Sequence, residues 1–323
     1  MRYLATSTAK QISKIGLGTW QFGSKDWGYG DPYADQESHA IVRRALDLGV
    51  TLFDTAEIYG YGRSERILGR ALGEDLSTVF LATKILPVLP LAPVVEQRAV
   101  ASANRLGARH LDLYQMHQQN PVVRDGPAMR GMRALQRVGL VGEVGVSNYS
   151  LDRWRAAEAA LGGPVLSNQV SYSLAERAPE RELLPYAEAQ DRVIIAYSPL
   201  AQGLLSGRYH RDNLPTNRVR GGNPLFLPEN IERASELIGV LRGVADAHGA
   251  TPAQIALAWV IRSPAVTAIP GASSVEQLES NVAAADIDLS DDEDQALRAA
   301  SGRFRPLSGP GVVPRLIRAR FGR

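Results

Sequence analysis

Eight short apolar runs divide the chain, and almost every one is followed by a segment with helical spacing. The runs are Ile15–Gly18, Val50–Asp54, Val79–Thr83, Leu111–Met116, Glu143–Val146, Val165–Gln169, Val193–Tyr197 and Val266–Ile269. They are nearly continuous in apolar character, the pattern of strands buried on both faces. Helices are expected between them. Asp35–Leu48 repeats Ile41, Ala45 and Leu48 on one face, and Ser64–Leu72 has Ser64 as its expected N-cap. Pro93–Leu106, Pro127–Val138, Ser150–Leu161 and Pro179–Gln190 follow, several with proline in the first turn. Glu229–His248 and Pro252–Arg262 fill the span before the last strand, and Ser274–Ala285 closes the series. Strict alternation of eight strand–helix units predicts an α/β fold of the (β/α)8 TIM-barrel kind. A doubly wound sheet would gather its ligand at one switch point. Here polar motifs follow almost every strand, which favours the closed barrel.

The 323 residues would allow two domains of roughly 150 residues, but barrels of this size are routinely one. A single barrel domain over residues 1–323 is expected. Residues 1–14 should form an N-terminal hairpin that plugs the barrel bottom, Asp291–Ala300 an extra C-terminal helix, and residues 301–323 a basic C-terminal tail. In that tail Val312, Val313, Leu316, Ile317 and Phe321 suggest an apolar stripe that docks on the barrel or on a second subunit.

Composition excludes several functions. The 36 basic residues nearly balance 34 acidic ones, so no nucleic-acid partner is expected. Cysteine is absent, which removes disulfides and thiolate metal sites. His39, His110, His210 and His248 are scattered without metal spacing, so no metal is expected. Met1 to Thr6 lack the apolar core of a signal peptide. No run approaches the roughly 18 apolar residues of a membrane helix, so the expected location is cytoplasmic with no membrane partner. A homo-oligomer stays open. Gly28-Tyr29-Gly30 and Gly60-Tyr61-Gly62 lack the strand–turn–helix setting of a Gly-rich dinucleotide fingerprint.

Four residues stand where apolar runs give way to loops. Asp54 ends the second run, Lys84 follows the third, His117 follows the fourth, and Tyr59 lies one turn beyond Asp54. In a barrel these run ends share a rim. A phenol, an ammonium, a carboxylate and an imidazole make a proton-transfer set without a nucleophile, which suits carbonyl reduction. The hydride must come from a cofactor, because no side chain donates one. A positioned acid contributes about 10²–10⁴-fold. An ammonium ~4 Å from a phenol would favour the phenolate by up to about 4 kcal/mol at an effective dielectric near 20. Lys84 would do this for Tyr59, with Asp54 holding Lys84 charged and His117 orienting the carbonyl. Each residue alone has a blander explanation, such as a turn cap or a loop aromatic; the joint arrangement does not.

From Gly16-Leu17-Gly18-Thr19-Trp20 to about Leu297 the chain resembles the aldo-keto reductase superfamily. The main signature is Phe53-Asp54-Thr55-Ala56-Glu57-Ile58-Tyr59-Gly60, supported by Leu111-Asp112-Leu113-Tyr114-Gln115-Met116-His117 and Gly145-Val146-Ser147-Asn148. The style is closer to bacterial members and potassium-channel beta subunits than to mammalian aldose reductases. The resemblance implies a barrel, an NADPH (NADP+) cofactor, a small carbonyl substrate, and Asp54, Tyr59, Lys84 and His117 as catalytic tetrad with Tyr59 as general acid. It implies that Ser147, Asn148 and Gln169 hold the nicotinamide carboxamide and that Tyr197 stacks on the ring. Ser198, Leu200, Gln202 and Gly203 match the segment along the pyrophosphate, with Arg208 near the phosphates. Gly271, Ser273, Gln277 and Asn281 match the adenosine end. Many relatives carry Arg where Ser273 stands, which leaves the margin of NADPH over NADH open. Trp20 and Trp27, with Phe22 and Tyr29 nearby, are expected at an apolar substrate pocket; Arg218, Arg220 and Phe226 in the long loop Leu204–Leu227 are candidates for substrate or phosphate contact. Two other readings remain: a nucleotide-binding redox-sensing regulator with slow turnover, and a barrel isomerase or hydrolase using Asp54 and His117.

Overall fold

The computed structural model describes residues 1–23, 32–215, 218–312 and 314–315. Its eight strands are β1 (Leu17–Gly18), β2 (Leu52–Asp54), β3 (Phe80–Ile85), β4 (Leu111–Met116), β5 (Val141–Ser147), β6 (Ser167–Ser171), β7 (Val193–Tyr197) and β8 (Val266–Ala268). They pair in parallel and in chain order. The ring closes where Ile15 bridges Ala268 in parallel. There the Gly16 N–H donates to the Ala268 carbonyl at 2.8 Å, and the Ala268 N–H to the Lys14 carbonyl at 2.9 Å. Closure leaves no strand edge exposed. Every residue of β3 and β4 is buried, as the unbroken apolar runs predict.

Helices α1 (Pro32–Asp47), α2 (Arg63–Leu72), α3 (Ala92–Leu106), α4 (Gly126–Arg137), α5 (Leu151–Leu161) and α6 (Leu183–Ala189) follow β1 to β6 in turn. After β7 come α7 (Arg218–Gly221), α8 (Pro228–Arg233), α9 (Ser235–His248) and α10 (Pro252–Val260); α11 (Val275–Ala283) follows β8, and α12 (Asp291–Arg303) is the extra helix. The outer core between ring and helices includes Ile41 of α1, Leu68 of α2, Val95 of α3, Met132 of α4, Trp154 of α5 and Trp259 of α10. α2 and α3 touch at Gly69, where a Cβ would lie 2.1 Å from the Leu106 carbonyl oxygen.

Three expected boundaries move. Ser64 is not the N-cap of α2: Gly62, at φ 81°, takes that position, because the loop must turn through the left-handed region before the helix starts. Ser64 is buried one turn in and exchanges hydrogen bonds with Thr19 and Thr55. The expected helix Pro179–Gln190 splits into a 3-10 turn at Ala178–Glu180 and α6. The expected Glu229–His248 breaks at Ala234 into α8 and α9.

The N-terminal hairpin forms as expected. The Leu4 N–H bonds the Ile12 carbonyl and the Lys14 N–H the Arg2 carbonyl, both at 2.8 Å. Leu4 and Ile12 enter the inner core beside Leu52, Phe80, Leu113 and Ile195. Lys14, just beyond, places its ammonium among the carbonyls of Ile261, Ser263, Pro264 and Val266. The described part of the tail lies on the chain's own barrel. The Leu307 N–H bonds Asn230 Oδ1 at 2.7 Å, and Arg315 pairs with Glu229 at 3.0 Å. Val313, Leu316, Ile317 and Phe321 of the expected stripe lie outside the described residues.

Candidate active site

Asp54 is the last residue of β2, Lys84 the penultimate residue of β3, and His117 the first residue past β4. The third strand thus runs two residues beyond the expected Thr83, and Lys84 belongs to it. Inward alternation brings Asp54 and Lys84 together: Lys84 Nζ donates to Asp54 Oδ1 at 2.5 Å, to the Thr55 carbonyl at 2.8 Å and to Tyr59 Oη at 3.3 Å. Three acceptors match the three donors of an ammonium. Asp54 is 1% exposed and Lys84 0%, so neither charge could stand there alone. Tyr59 reaches the pair because Gly60, Tyr61 and Gly62 all adopt positive φ, turning the chain sharply before α2. The His117 ring meets Tyr59 edge-on, with centroids 5.6 Å apart. Its Nδ1 is buried without a hydrogen-bond partner among the described residues.

Burial sets the protonation states. It pushes His117 down to about 3, helped by the Lys84 charge, so the imidazole is neutral near pH 7. Burial opposes the Lys84 ammonium, but Asp54 and then Tyr59 outweigh it, and the Lys84 pKa is raised. Tyr59 departs from expectation. Lys84 does pull its pKa down, but loss of hydration is the larger effect, and the phenol is held above its usual range. The group at the rim is therefore a firmly protonated phenol with a cation behind it.

Sequence reasoning missed the floor of this site. Asp54 Oδ2 accepts from Gln169 Nε2 at 2.8 Å and from Gln115 Nε2 at 3.3 Å. Ser167 Oγ donates to Gln115 Oε1 at 3.4 Å. Gly145 leaves room for this layer, since a Cβ there would come 2.4 Å from Ser167 Oγ. The only hint in the sequence is a polar residue inside an apolar run. Glu57 was also missed: it accepts the Leu86 N–H at 2.6 Å and pairs with Arg98, which itself donates to the Leu86 carbonyl. Leu86 is thereby fixed beside the tetrad.

The residues matched to nicotinamide recognition gather at the ends of β5 to β7. Asn148, at φ 61°, donates from Nδ2 to Ser147 Oγ at 3.0 Å and accepts at Oδ1 from Tyr197 Oη at 2.9 Å. Ser147 Oγ donates to the Gln169 carbonyl at 2.8 Å. Gln169 itself spends Nε2 on Asp54, which links this group to the tetrad. Beyond β7, Ser198, Ala201, Gln202 and Gly203 have positive φ, while Leu200 packs on the core. Arg220 Nε donates to the Gln202 carbonyl at 2.8 Å, and Gln202 Oε1 is buried without a partner. Arg208 is exposed just past this loop. Phe226 is 6% exposed and packs edge-on against Tyr209, so it belongs to the core and not to a substrate contact; an aromatic ring gains more by burial there.

At the far end Gly271 lies against Gln21, whose Oε1 a Cβ would meet at 2.6 Å. The Ser273 N–H donates to Gln277 Oε1 at 2.9 Å, and Ser274 caps α11 through the Gln277 N–H. Asn281 Nδ2 reaches the Gly271 carbonyl at 3.4 Å. A cleft of about 450 Å³ opens over the tetrad, lined by Trp20, Ile58, Tyr59, Gly60, Leu86, His117 and Gln118. Trp27 and Tyr29 lie outside the described residues.

Residues 14–301 match the aldo/keto reductase family model. The chain is 55% identical over 323 residues to the uncharacterized oxidoreductase Rv2298 of Mycobacterium tuberculosis, covering 100% of both. Two solved structures share the architecture. The glycerol dehydrogenase AKR11B4 of Gluconobacter oxydans is 28% identical with a TM-score of 0.86, over 95% of this chain and 98% of that one. The aldo/keto reductase of Klebsiella pneumoniae, in complex with NADP and acetate, is 30% identical with a TM-score of 0.74, over 95% and 96%. The chain belongs to the aldo/keto reductase family, and it is an oxidoreductase.

Proposed function

We propose that the protein reduces aldehydes and ketones with NADPH, with Tyr59 as the proton donor. The observation that carries this reading is the buried chain Tyr59–Lys84–Asp54 at the mouth of an otherwise uncharged cleft. Asn148, Ser147 and Gln169 offer the donors and acceptors that a carboxamide needs. Tyr197 offers an aromatic face, and the orphaned Gln202 Oε1 faces a loop turned by positive φ. These groups fit a nicotinamide dinucleotide whose diphosphate runs along Ser198–Gly203, toward Gly271, Ser273, Gln277 and Asn281. When bound, that cofactor supplies the hydride.

The chain's own residues supply the proton. Tyr59 Oη–H donates to the carbonyl oxygen as negative charge develops there. The resulting phenolate faces the Lys84 ammonium, which Asp54 keeps charged, so the unfavourable burial of a phenolate is offset only when the proton has left. Neutral His117 has a ring edge toward the cleft and orients the carbonyl without competing as an acid. The apolar lining, from Trp20, Ile58 and Leu86, excludes water and strengthens these electrostatic effects.

The test is NADPH consumption with a panel of aromatic aldehydes, dicarbonyls and quinones, run beside a direct binding titration of the nucleotide. Turnover with several of them is expected. Tight nucleotide binding with no turnover on any would replace this reading with that of a regulatory protein, and absence of binding would remove the cofactor site.

A further inference from the structure

Exposed apolar side chains crowd the loops after β1 to β4. Val88 is 70% exposed, Leu89 52% and Val122 87%, and Trp20 and Ile58 stand nearer the cleft at 42% and 36%. These side chains are not scattered. Ile58 and Leu86 line the cleft. Val88 is one tight turn further on, its N–H donating to the Leu86 carbonyl at 2.9 Å. Asn120 then ties this turn to the loop after β4. Its Nδ2 donates to the Pro87 carbonyl at 2.7 Å, and its Oδ1 accepts the N–H groups of Val122 and Val123 at 2.8 and 2.7 Å. Glu57 and Arg98 hold Leu86 from beneath. The two loops therefore run side by side, braced by side-chain hydrogen bonds, and carry an apolar strip from the cleft out to solvent.

Contiguous exposed apolar surface beside a cleft marks a contact surface. Continuity with the cleft argues for the substrate as its occupant. The cleft lining holds no acidic or basic side chain besides neutral His117, so nothing there anchors a carboxylate or phosphate on the far end of a substrate.

Resting on the reductase reading above, we infer that the preferred substrates are uncharged carbonyl compounds with an extended hydrocarbon tail, the carbonyl at Tyr59 and the tail on the strip Leu86–Val88–Val122. The fold leaves this strip bare because its occupant arrives and leaves with each turnover. A short aldehyde fills the cleft alone; a longer one also covers the strip.

The test is kcat/KM for straight-chain aldehydes from butanal to nonanal, for the wild-type protein and for a variant carrying Val88→Asp and Val122→Asp. Both positions are exposed, so the substitutions leave the core intact. A fully buried methylene is worth about fourfold, and a tail lying on a surface about half that in free energy, or about twofold per methylene. The wild type should therefore climb by about twofold per methylene, while the variant keeps its butanal activity and loses the climb beyond hexanal. A flat wild-type series, or a variant that keeps the climb, overturns the inference while butanal turnover leaves the reductase reading standing. A variant that keeps the climb but changes the oligomeric state, measured by sedimentation, overturns it in favour of a contact between copies of the chain. No turnover on any aldehyde overturns both readings together.

Discussion

A single imidazole shows how burial decides chemistry at the scale of one residue. His117 is as polar as any histidine, yet loss of hydration and the Lys84 ammonium hold it neutral, with a pKa near 3. Its folded pKa lies below the unfolded value of about 6.5, so the unfolded chain binds the proton more readily between those values. Stability should be fully present above about pH 6.5 and fall as pH drops toward 3, by at most about 1.4 kcal/mol per pH unit. Comparing denaturation of the wild type and His117→Gln across that window isolates the effect. A difference between them that stays constant with pH would show that His117 is not buried neutral. Tyr59 teaches the same lesson from the opposite side. Reasoning from charge alone predicts a more acidic phenol beside Lys84, whereas dehydration raises it. Sequence spacing identifies which groups meet; it does not say how much water they lose.

At the scale of elements, the strands were more legible than the helices. A buried parallel strand writes itself as an unbroken apolar run, and the ends of β2 and β4 fall where Asp54 and Met116 predict. Helix starts depend on backbone conformation that residue type only hints at. Ser64 has the right side chain for a cap, but the left-handed turn at Gly60–Gly62 starts α2 before it. The layer of Gln115, Ser167 and Gln169 beneath Asp54 was not legible, because it is made by register between strands far apart in sequence. Gly69 tests the packing of α2 on α3. With the Leu106 carbonyl 2.1 Å from where a Cβ would be, Gly69→Ala should destabilise by about 1–3 kcal/mol as overpacking. Thermal unfolding measures it, and a neutral result would mean that the two helices separate freely.

Lys14 belongs to the same scale, since it holds the end of α10 and the entry to β8 through four carbonyls. Burial lowers its pKa to about 8, with Arg2 adding to the effect. The unfolded lysine keeps its proton to about 10.4. The unfolded state therefore holds more protons between pH 8 and 10.4, and stability should rise with pH across that window. The wild type should gain up to about 3 kcal/mol on Lys14→Met there, read from paired urea titrations. A difference independent of pH would place the ammonium in water.

At the scale of the whole molecule, the barrel separates stability from chemistry. The hairpin plugs one end with Leu4 and Ile12, while the tetrad and cleft occupy the other, at the strand C-termini. Ile12 is 2% exposed, and Ile12→Ala should cost about 2–5 kcal/mol of stability with little change in kcat at a temperature where the variant stays folded. A fall in kcat matching the loss in stability would mean that the two ends are coupled. The closed ring explains why so much of the site was readable. Once eight runs are taken as neighbouring strands, their last residues must converge, and Asp54, Lys84 and His117 have nowhere else to meet. The loops carry no such constraint, and their contacts, such as Asn120 joining Pro87 to Val122, emerge only from the folded chain.

The central claim is that Tyr59 gives up the proton in carbonyl reduction. The most direct measurement is kcat with an aldehyde for Tyr59→Phe beside the wild type, together with the NADPH dissociation constant of each. The account predicts a loss of about 10²–10⁴-fold in kcat with nucleotide affinity unchanged, because the phenol acts on the substrate and the ring remains. A variant that keeps wild-type kcat would contradict it, and the proton would have to come from elsewhere in the cleft.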